Sequence, residues 1–147
     1  MTDNENRLDT AQPHAAPLRV LLGKLGLDGH TRGIQSVAGV LRDGGMEVIY
    51  TGLRRNSAQV AEIALQEDVD VIGLSFMSGS HLELTEDLFA MMKERNIADI
   101  PVVVGGVIPR NDVQTLLDLG VRAVFPTDST GEEILACFRK VAHRGAV

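Results

Sequence analysis

The amino-acid sequence predicts an α/β fold in which helices cover both faces of a parallel β-sheet. Two observations predict this class. Short apolar, largely β-branched runs alternate with longer segments in which apolar residues recur at helical spacing. Hydrophobic residues make up 44% of the 147 residues and charged residues 23%, as in a globular domain that buries a core. Strands that alternate with helices are joined by right-handed crossovers and therefore run parallel.

Five short apolar runs are the predicted strands. They are rich in valine, isoleucine and leucine, which suit strands buried on both faces. The runs cover residues 18–22, 47–50, 69–76, 100–104 and 121–125. Their lengths are typical of strands and too short for most helices.

Helices are predicted between the strands from terminal signals and from apolar residues that share a face. The sequence Asp43-Gly44-Gly45 ends the first helix and Gly120 ends the fourth, because glycine commonly follows a helix. Asn56 and Ser57 are capping residues that begin the second helix. The residues predicted to share a helix face are Val60, Ile63 and Ala64 in the second helix; Leu84, Leu88 and Met91 in the third; Val113, Leu116 and Leu117 in the fourth; and Ile134, Phe138 and Val141 in the fifth.

These elements predict one domain over residues 18–147, preceded by a tail. Five strands and five helices in about 130 residues fit the flavodoxin-like (Rossmann-like), doubly wound sheet with strand order 2-1-3-4-5. Residues 1–17 are polar, contain two prolines and show no apolar period, so a flexible N-terminal tail is expected. The tail has neither the apolar segment of a secretory signal nor the acid-poor composition of a transit peptide.

Composition excludes several classes of partner. The formal net charge is −6, only 3% of residues are aromatic and tryptophan is absent, which argues against nucleic acid and against an anionic membrane. No apolar run approaches the ~20 residues that span a bilayer. The single cysteine, Cys137, cannot form an internal disulfide and suits a reducing compartment. A cytoplasmic protein is therefore expected.

A ligand site is predicted at the carboxyl edge of the sheet, near the switch point between the first and third strands. The loops that meet there cover residues 23–32, 76–81, 105–110 and 126–131. The first three are rich in glycine and serine, which leave an open cleft where a ligand can approach the backbone. Each of these residues alone is equally well explained as an ordinary turn former.

The first loop does not match four familiar sites of this fold type. Its glycine spacing is neither that of a dinucleotide fingerprint nor that of a phosphate-binding P-loop. One tyrosine and four phenylalanines offer few rings to stack on a flavin. A phosphoryl-accepting receiver would carry an acidic pair after the first strand, where Gly23 and Lys24 stand instead.

The first loop does contain Lys24, Asp28 and His30. A neutral histidine nitrogen can bind a metal, and a nearby carboxylate can accept the other ring N–H and fix the tautomer. Lys24 can pair with that carboxylate and favour its charged form. Zinc needs three or four protein ligands, which are not available nearby. A metal that already carries a macrocycle, either haem or corrin, needs only one.

The run Asp28-Gly-His30-Thr-Arg-Gly33 matches the Asp-x-His-x-x-Gly signature of cobalamin-binding domains. With Lys24 it resembles the methylmalonyl-CoA mutase family. The segment Ser75-Phe-Met77 resembles that family's Ser-x-Leu segment, with methionine where leucine is usual, and Gly105-Gly106 resembles its Gly-Gly segment. The resemblance extends over residues 18–141.

The resemblance implies adenosylcobalamin as cofactor, bound with its own dimethylbenzimidazole base displaced from cobalt. His30 would be the axial cobalt ligand, Asp28 its hydrogen-bond partner and Lys24 the next link. The remaining residues implied in cofactor binding are Gly29, Thr31, Arg32, Gly33, Ser75, Met77, Gly79, Gly105, Gly106, Ser129 and Thr130. The loop that carries the last two, residues 126–130, departs from the glycine-rich form of the family.

The resemblance also implies an acyl-CoA mutase that is completed by a second chain. A substrate-binding (β/α)₈ barrel takes ~250 residues, and the sheet uses all of the residues after the tail. This chain would be the cobalamin-binding small subunit, with no catalytic residue of its own, and a large acyl-CoA-binding barrel subunit would be its partner. The reaction implied is a radical 1,2-rearrangement of a short branched acyl-CoA such as isobutyryl-CoA, 2-hydroxyisobutyryl-CoA or methylmalonyl-CoA.

Two other functions remain open on the sequence. Corrinoid carrier proteins for methyl transfer share the signature but normally carry a helical domain before it, and only about 17 polar residues precede the first strand here. A non-catalytic module for cobalamin binding or delivery would have the same signature. Co-purification with a large barrel subunit would distinguish these functions from a mutase subunit.

Overall fold

A computed structural model of the chain describes residues 16–142, in which five strands alternate with five helices. The strands are β1 (Arg19–Gly23), β2 (Glu47–Tyr50), β3 (Val71–Phe76), β4 (Val102–Gly106) and β5 (Ala123–Phe125). The helices are α1 (Arg32–Asp43), α2 (Ser57–Glu67), α3 (His81–Glu94), α4 (Arg110–Leu119) and α5 (Gly131–Val141). The expectation of a flexible tail falls almost entirely on residues 1–15, which lie outside the described part.

The sheet is parallel throughout and has the strand order β2-β1-β3-β4-β5. The flavodoxin-like order predicted from the alternation of elements is therefore confirmed. β1 lies between β2 and β3, with Leu21 opposite Ile49 on one side and Ile72 on the other. The chain reverses its direction of winding after β2, and this reversal places the loops after β1 and β3 side by side.

Two apolar clusters cover the two faces of the sheet. Alternate residues of β1 point to opposite faces: Leu21 belongs to one cluster, whereas Val20 and Leu22 belong to the other. The first cluster packs against α2, α3 and α4, and the second against α1 and α5. Because both faces are covered, the strands read as almost continuous apolar runs, which is why they were recognisable from the sequence.

The third, fourth and fifth strands begin two residues later than predicted. The apolar residues before β3 and β5 still close the preceding helices: the Val69 N–H donates to the Ala64 carbonyl, and the Val121 N–H donates to the Leu116 carbonyl. Apolar character therefore predicted burial correctly there, but not strand pairing. One predicted core residue is wrong, because Leu117 is 38% exposed while Leu116 is buried. Neighbouring residues of a helix differ by about 100° in direction, and in α4 Leu116 faces the core while Leu117 points outward.

The predicted helix signals correspond to observed caps. The Asn56 side chain accepts the backbone N–H of Gln59, and the Gln59 side chain accepts the backbone N–H of Asn56, which forms a capping box at the start of α2. Gly44 follows α1 and Gly120, with φ of 122°, follows α4. Within the described residues, no helix is long and apolar enough to cross a membrane.

Candidate functional site

Asp28 is the centre of a hydrogen-bonded cluster at the carboxyl edge of the sheet. Its Oδ2 atom accepts the Met77 backbone N–H at 2.8 Å and lies 2.8 Å from the Lys24 Nζ atom. Its Oδ1 atom accepts the His30 backbone N–H at 3.0 Å and lies 2.8 Å from the His30 ring Nδ1 atom. These contacts join the loop after β1 to the loop after β3, as the adjacency of the two strands requires.

Lys24 is buried beneath this cluster. Its side chain has no exposed surface and its Nζ atom lies 3.4 Å from the Ser75 hydroxyl as well as 2.8 Å from the Asp28 carboxylate. Lysine and aspartate are almost never buried unless they are paired. The pair therefore explains how a charged residue can follow β1 directly without access to water.

The environment keeps Asp28 ionised. Burial favours the neutral carboxyl group, but the hydrogen bonds from Lys24, from the backbone and ring of His30, and from the Met77 backbone outweigh burial. The pKa of Asp28 is consequently held well below its usual range. An ionised carboxylate only accepts hydrogen bonds, so the Nδ1 atom of His30 must donate in the contact between them.

His30 presents its second ring nitrogen to solvent. Its side chain is 65% exposed, although one side of the ring is fixed by Asp28. In a neutral imidazole that donates from Nδ1, the Nε2 atom carries a free lone pair. Nε2 has no hydrogen-bond partner within residues 16–142. The arrangement is that of a histidine metal ligand whose orientation and tautomer are set by a carboxylate.

A cleft of about 370 Å³ opens beside this cluster, between the sheet and the helices α1 and α5. Seven of the residues implied by the resemblance line it: Arg32, Gly33, Ser75, Met77, Gly105, Gly106 and Ser129. A Cβ atom added at Gly33 would meet nothing within 4 Å, so this glycine leaves open space at the wall of the cleft.

Four of the implied residues are neither in the cleft wall nor in the hydrogen-bonded cluster. Gly29 and Gly79 lie in exposed loops, and Thr31 precedes α1. The Thr130 hydroxyl accepts the Glu133 backbone N–H in a capping box at the start of α5. Within the described residues, Thr130 therefore has a structural role that accounts for its side chain.

The inner wall of the cleft contains apolar residues that the sequence did not indicate as site residues. The rings of Phe125 and Phe138 stack at a centroid distance of 6.0 Å, and Leu22, Gly73 and Val103 contribute from the central strands. Gly73 is explained by this packing, because an added Cβ would lie 2.8 Å from Leu22 and 3.0 Å from Phe138. A glycine inside an otherwise apolar strand was the available signal.

The two glycines that end β4 have different reasons to be glycine. Gly106 has φ of 112°, and a Cβ there would lie 2.0 Å from the Phe76 carbonyl oxygen, so the chain's own backbone excludes a side chain.

We expect Gly106→Ala to lower the free energy of unfolding by at least about 2 kcal/mol. Gly105→Ala is the matched control, because its Cβ would lie 3.6 Å from Phe125, and we expect a loss within about 1 kcal/mol. Equal losses in urea unfolding would contradict this interpretation.

The donor set fits a metal that brings most of its own ligands. Residues 16–142 contain no group of three or more His, Cys, Asp or Glu side chains that could hold a bare ion. They do contain one oriented imidazole, beside a cleft with an apolar interior and a polar rim. A metal in a macrocycle with an appended group for the cleft satisfies both features, whereas a structural zinc ion satisfies neither.

Comparison with known proteins identifies the family. The model of the B12 binding domain family matches residues 18–136. The 2-hydroxyisobutanoyl-CoA mutase small subunit of Aquincola tertiaricarbonis is 47% identical over 131 residues, which are 88% of this chain and 96% of that protein. The pivalyl-CoA mutase small subunit of Xanthobacter autotrophicus is 43% identical over 121 residues, which are 82% of this chain and 81% of that protein.

A solved structure agrees in fold. A cobalamin-binding protein of Desulfitobacterium hafniense superimposes with a TM-score of 0.71 at 17% identity, over 84% of this chain and 58% of that one. At this identity the likeness supports the fold alone. The family model matches most of the sequence, and both relatives align over at least 81% of each chain, which is decisive. The chain belongs to the B12-binding domain family.

Proposed function

We propose that this chain is the cobalamin-binding small subunit of an adenosylcobalamin-dependent acyl-CoA mutase. The observation that carries the proposal is the His30 imidazole, which Asp28 holds at Nδ1 while Nε2 faces solvent beside the cleft. Family membership supports cobalamin as the ligand. The two small-subunit relatives support the mutase assignment and a second, large subunit as partner.

His30 would bind cobalt through Nε2. The Asp28 carboxylate would keep the ring in the required tautomer and raise the basicity of the ligating nitrogen, as carboxylates do for metal-bound histidines. Lys24 keeps that carboxylate charged. The cleft would hold the displaced nucleotide tail, with Ser75 and Ser129 on its polar rim and Gly33 leaving room in its wall.

When bound, adenosylcobalamin supplies a radical source for rearranging the carbon skeleton of the substrate. This chain would contribute binding and orientation, while the large subunit would bind the acyl-CoA and shield the reacting centre from water. The named relatives act on 2-hydroxyisobutanoyl-CoA and pivalyl-CoA, so a short branched acyl-CoA is the substrate class we propose. A cytoplasmic location remains a prediction from the sequence.

Titration of the purified chain with adenosylcobalamin, followed by visible absorption, tests the cofactor assignment. A change to the base-off spectrum with a protein nitrogen on cobalt is the expected result.

Gly33→Leu should weaken binding of adenosylcobalamin about 10-fold or more, because the larger side chain fills space that the nucleotide tail of the cofactor needs. Gly39→Leu is the matched control, since Gly39 is also open in α1 but does not line the cleft. Equal affinities for the two variants would contradict the assignment of the cleft.

A further inference from the structure

A second recess, of about 490 Å³, lies on the other face of the sheet from the cofactor cleft. It is bounded by the loop after β1, the start of α2 and the outer side of α3. We call it the α2–α3 groove, and the residues that define it are Leu27, Arg54, Ala58, Leu84, Ala90 and Met91. None of the proposed cofactor-binding residues lines it.

The groove presents apolar surface on a fixed framework. Leu27 is 85% exposed, although it lies between the buried Leu25 and the hydrogen-bonded Asp28. The loop that carries it is not loose: Leu25 pairs with Arg55 in a parallel bridge, and the Gly26 N–H donates to the Arg55 carbonyl at 3.0 Å. Leu27 forms one apolar patch with Leu84, Ala90 and Met91, and a contiguous exposed apolar patch marks a surface that can bind another protein.

The rim of the groove carries unpaired positive charge. Arg54 is exposed and has no ion-pair or hydrogen-bond partner within the described part of the chain, and the neighbouring Arg55 donates only to the Thr51 carbonyl. The one acidic residue in the lining is Asp87, on α3. Two adjacent arginines on a chain of net charge −6 favour an occupant that combines an apolar side chain with a carboxylate.

The position of the groove identifies its occupant. Leu27 lines the groove and lies three residues before His30 in the same loop, so a protein that covers the cofactor at the carboxyl edge would have the groove beside it. We propose that the α2–α3 groove receives an apolar segment of the large mutase subunit, with an acidic residue of that segment against Arg54. This proposal rests on the proposed function, because the large subunit is the partner it assigns.

The test measures the affinity of the chain for the large mutase subunit of the same organism, by biolayer interferometry with adenosylcobalamin present. Ala90→Glu and Arg54→Glu should each weaken association about 10-fold or more, because each places an unpaired charge in the interface. The matched controls are Ala136→Glu on α5 and Arg122→Glu before β5, which are also exposed and line neither recess. Both controls should stay within about twofold of the wild-type affinity.

Three outcomes would overturn the proposal without contradicting the proposed function, and a fourth would overturn both. Groove variants that bind the large subunit like the wild type would show that the groove is not used. If the groove variants alone also fail to bind adenosylcobalamin, their weaker association with the large subunit would be explained by damage to the cofactor site and not by the groove. Sedimentation showing a dimer of the chain that Ala90→Glu dissociates would assign the groove to a second copy. If the wild type itself does not bind the large subunit but does bind the cofactor, the proposed function fails together with the proposal.

Discussion

His30→Ala is expected to abolish coordination of cobalt by the protein and to remove mutase turnover in the assembled complex. The loss should exceed the ~10- to 100-fold that is typical when only an outer partner of a metal ligand is changed. The reason is geometric: within residues 16–142, Nε2 of His30 is the ring nitrogen that is both oriented and free beside the cleft. Absorption titration with adenosylcobalamin measures the coordination directly, without the large subunit.

Two controls separate coordination from folding. The free energy of unfolding should change little, because the His30 side chain is largely exposed. Free imidazole added to the variant should restore the spectrum of nitrogen-bound cobalt, since it can occupy the space that the side chain leaves. A variant with the wild-type spectrum or full turnover would exclude His30 as the ligand.

The fold was predictable because local and tertiary preferences agree. Strands buried on both faces, such as residues 71–76, are apolar at nearly every position, so each was visible without knowledge of its neighbours. The order of the strands was inferred from the five alternating strands and helices, which fit the flavodoxin-like doubly wound sheet. Strand boundaries were less accurate, because residues such as Val69 and Val121 are apolar for burial while their N–H groups close a helix.

The hydrogen-bonded cluster around Asp28 was predictable where its residues are close in sequence. Lys24, Asp28 and His30 lie in one loop, so their contacts could be inferred from spacing and from the resemblance. The Met77 N–H, which also donates a hydrogen bond to Asp28, comes from another loop. A backbone donor cannot be recognised from the type of residue that carries it. The burial of Lys24 could not be predicted from the sequence either, because it depends on how the loops after β1 and β3 pack over the side chain.

Asp28→Asn is expected to lower the free energy of unfolding by about 3 to 5 kcal/mol, because it leaves the Lys24 ammonium buried without a counter-charge. The Lys24 side chain has no exposed surface, and its other polar contact is a 3.4 Å approach to the Ser75 hydroxyl. The double variant Lys24→Met/Asp28→Asn should recover most of this loss, since it removes the unpaired charge. Urea unfolding of the wild type, of the single variants Lys24→Met and Asp28→Asn, and of the double variant measures the coupling free energy between the two side chains.

The pH dependence of stability gives an independent measure of the same pair. The folded state holds the pKa of Asp28 well below the value of about 3.9 that aspartate has in an unfolded chain. The unfolded state therefore binds the proton more readily, so this group's contribution is complete above that value and is lost as the pH falls below it. Wild-type stability should fall more steeply between about pH 5 and pH 2 than that of Asp28→Asn. Parallel profiles, or a double variant no more stable than Asp28→Asn, would mean that the Lys24–Asp28 pair does not hold the His30 loop in place. In that case the Asp28 carboxylate, which contacts the imidazole, would be held in place by the Met77 N–H and the local turn alone.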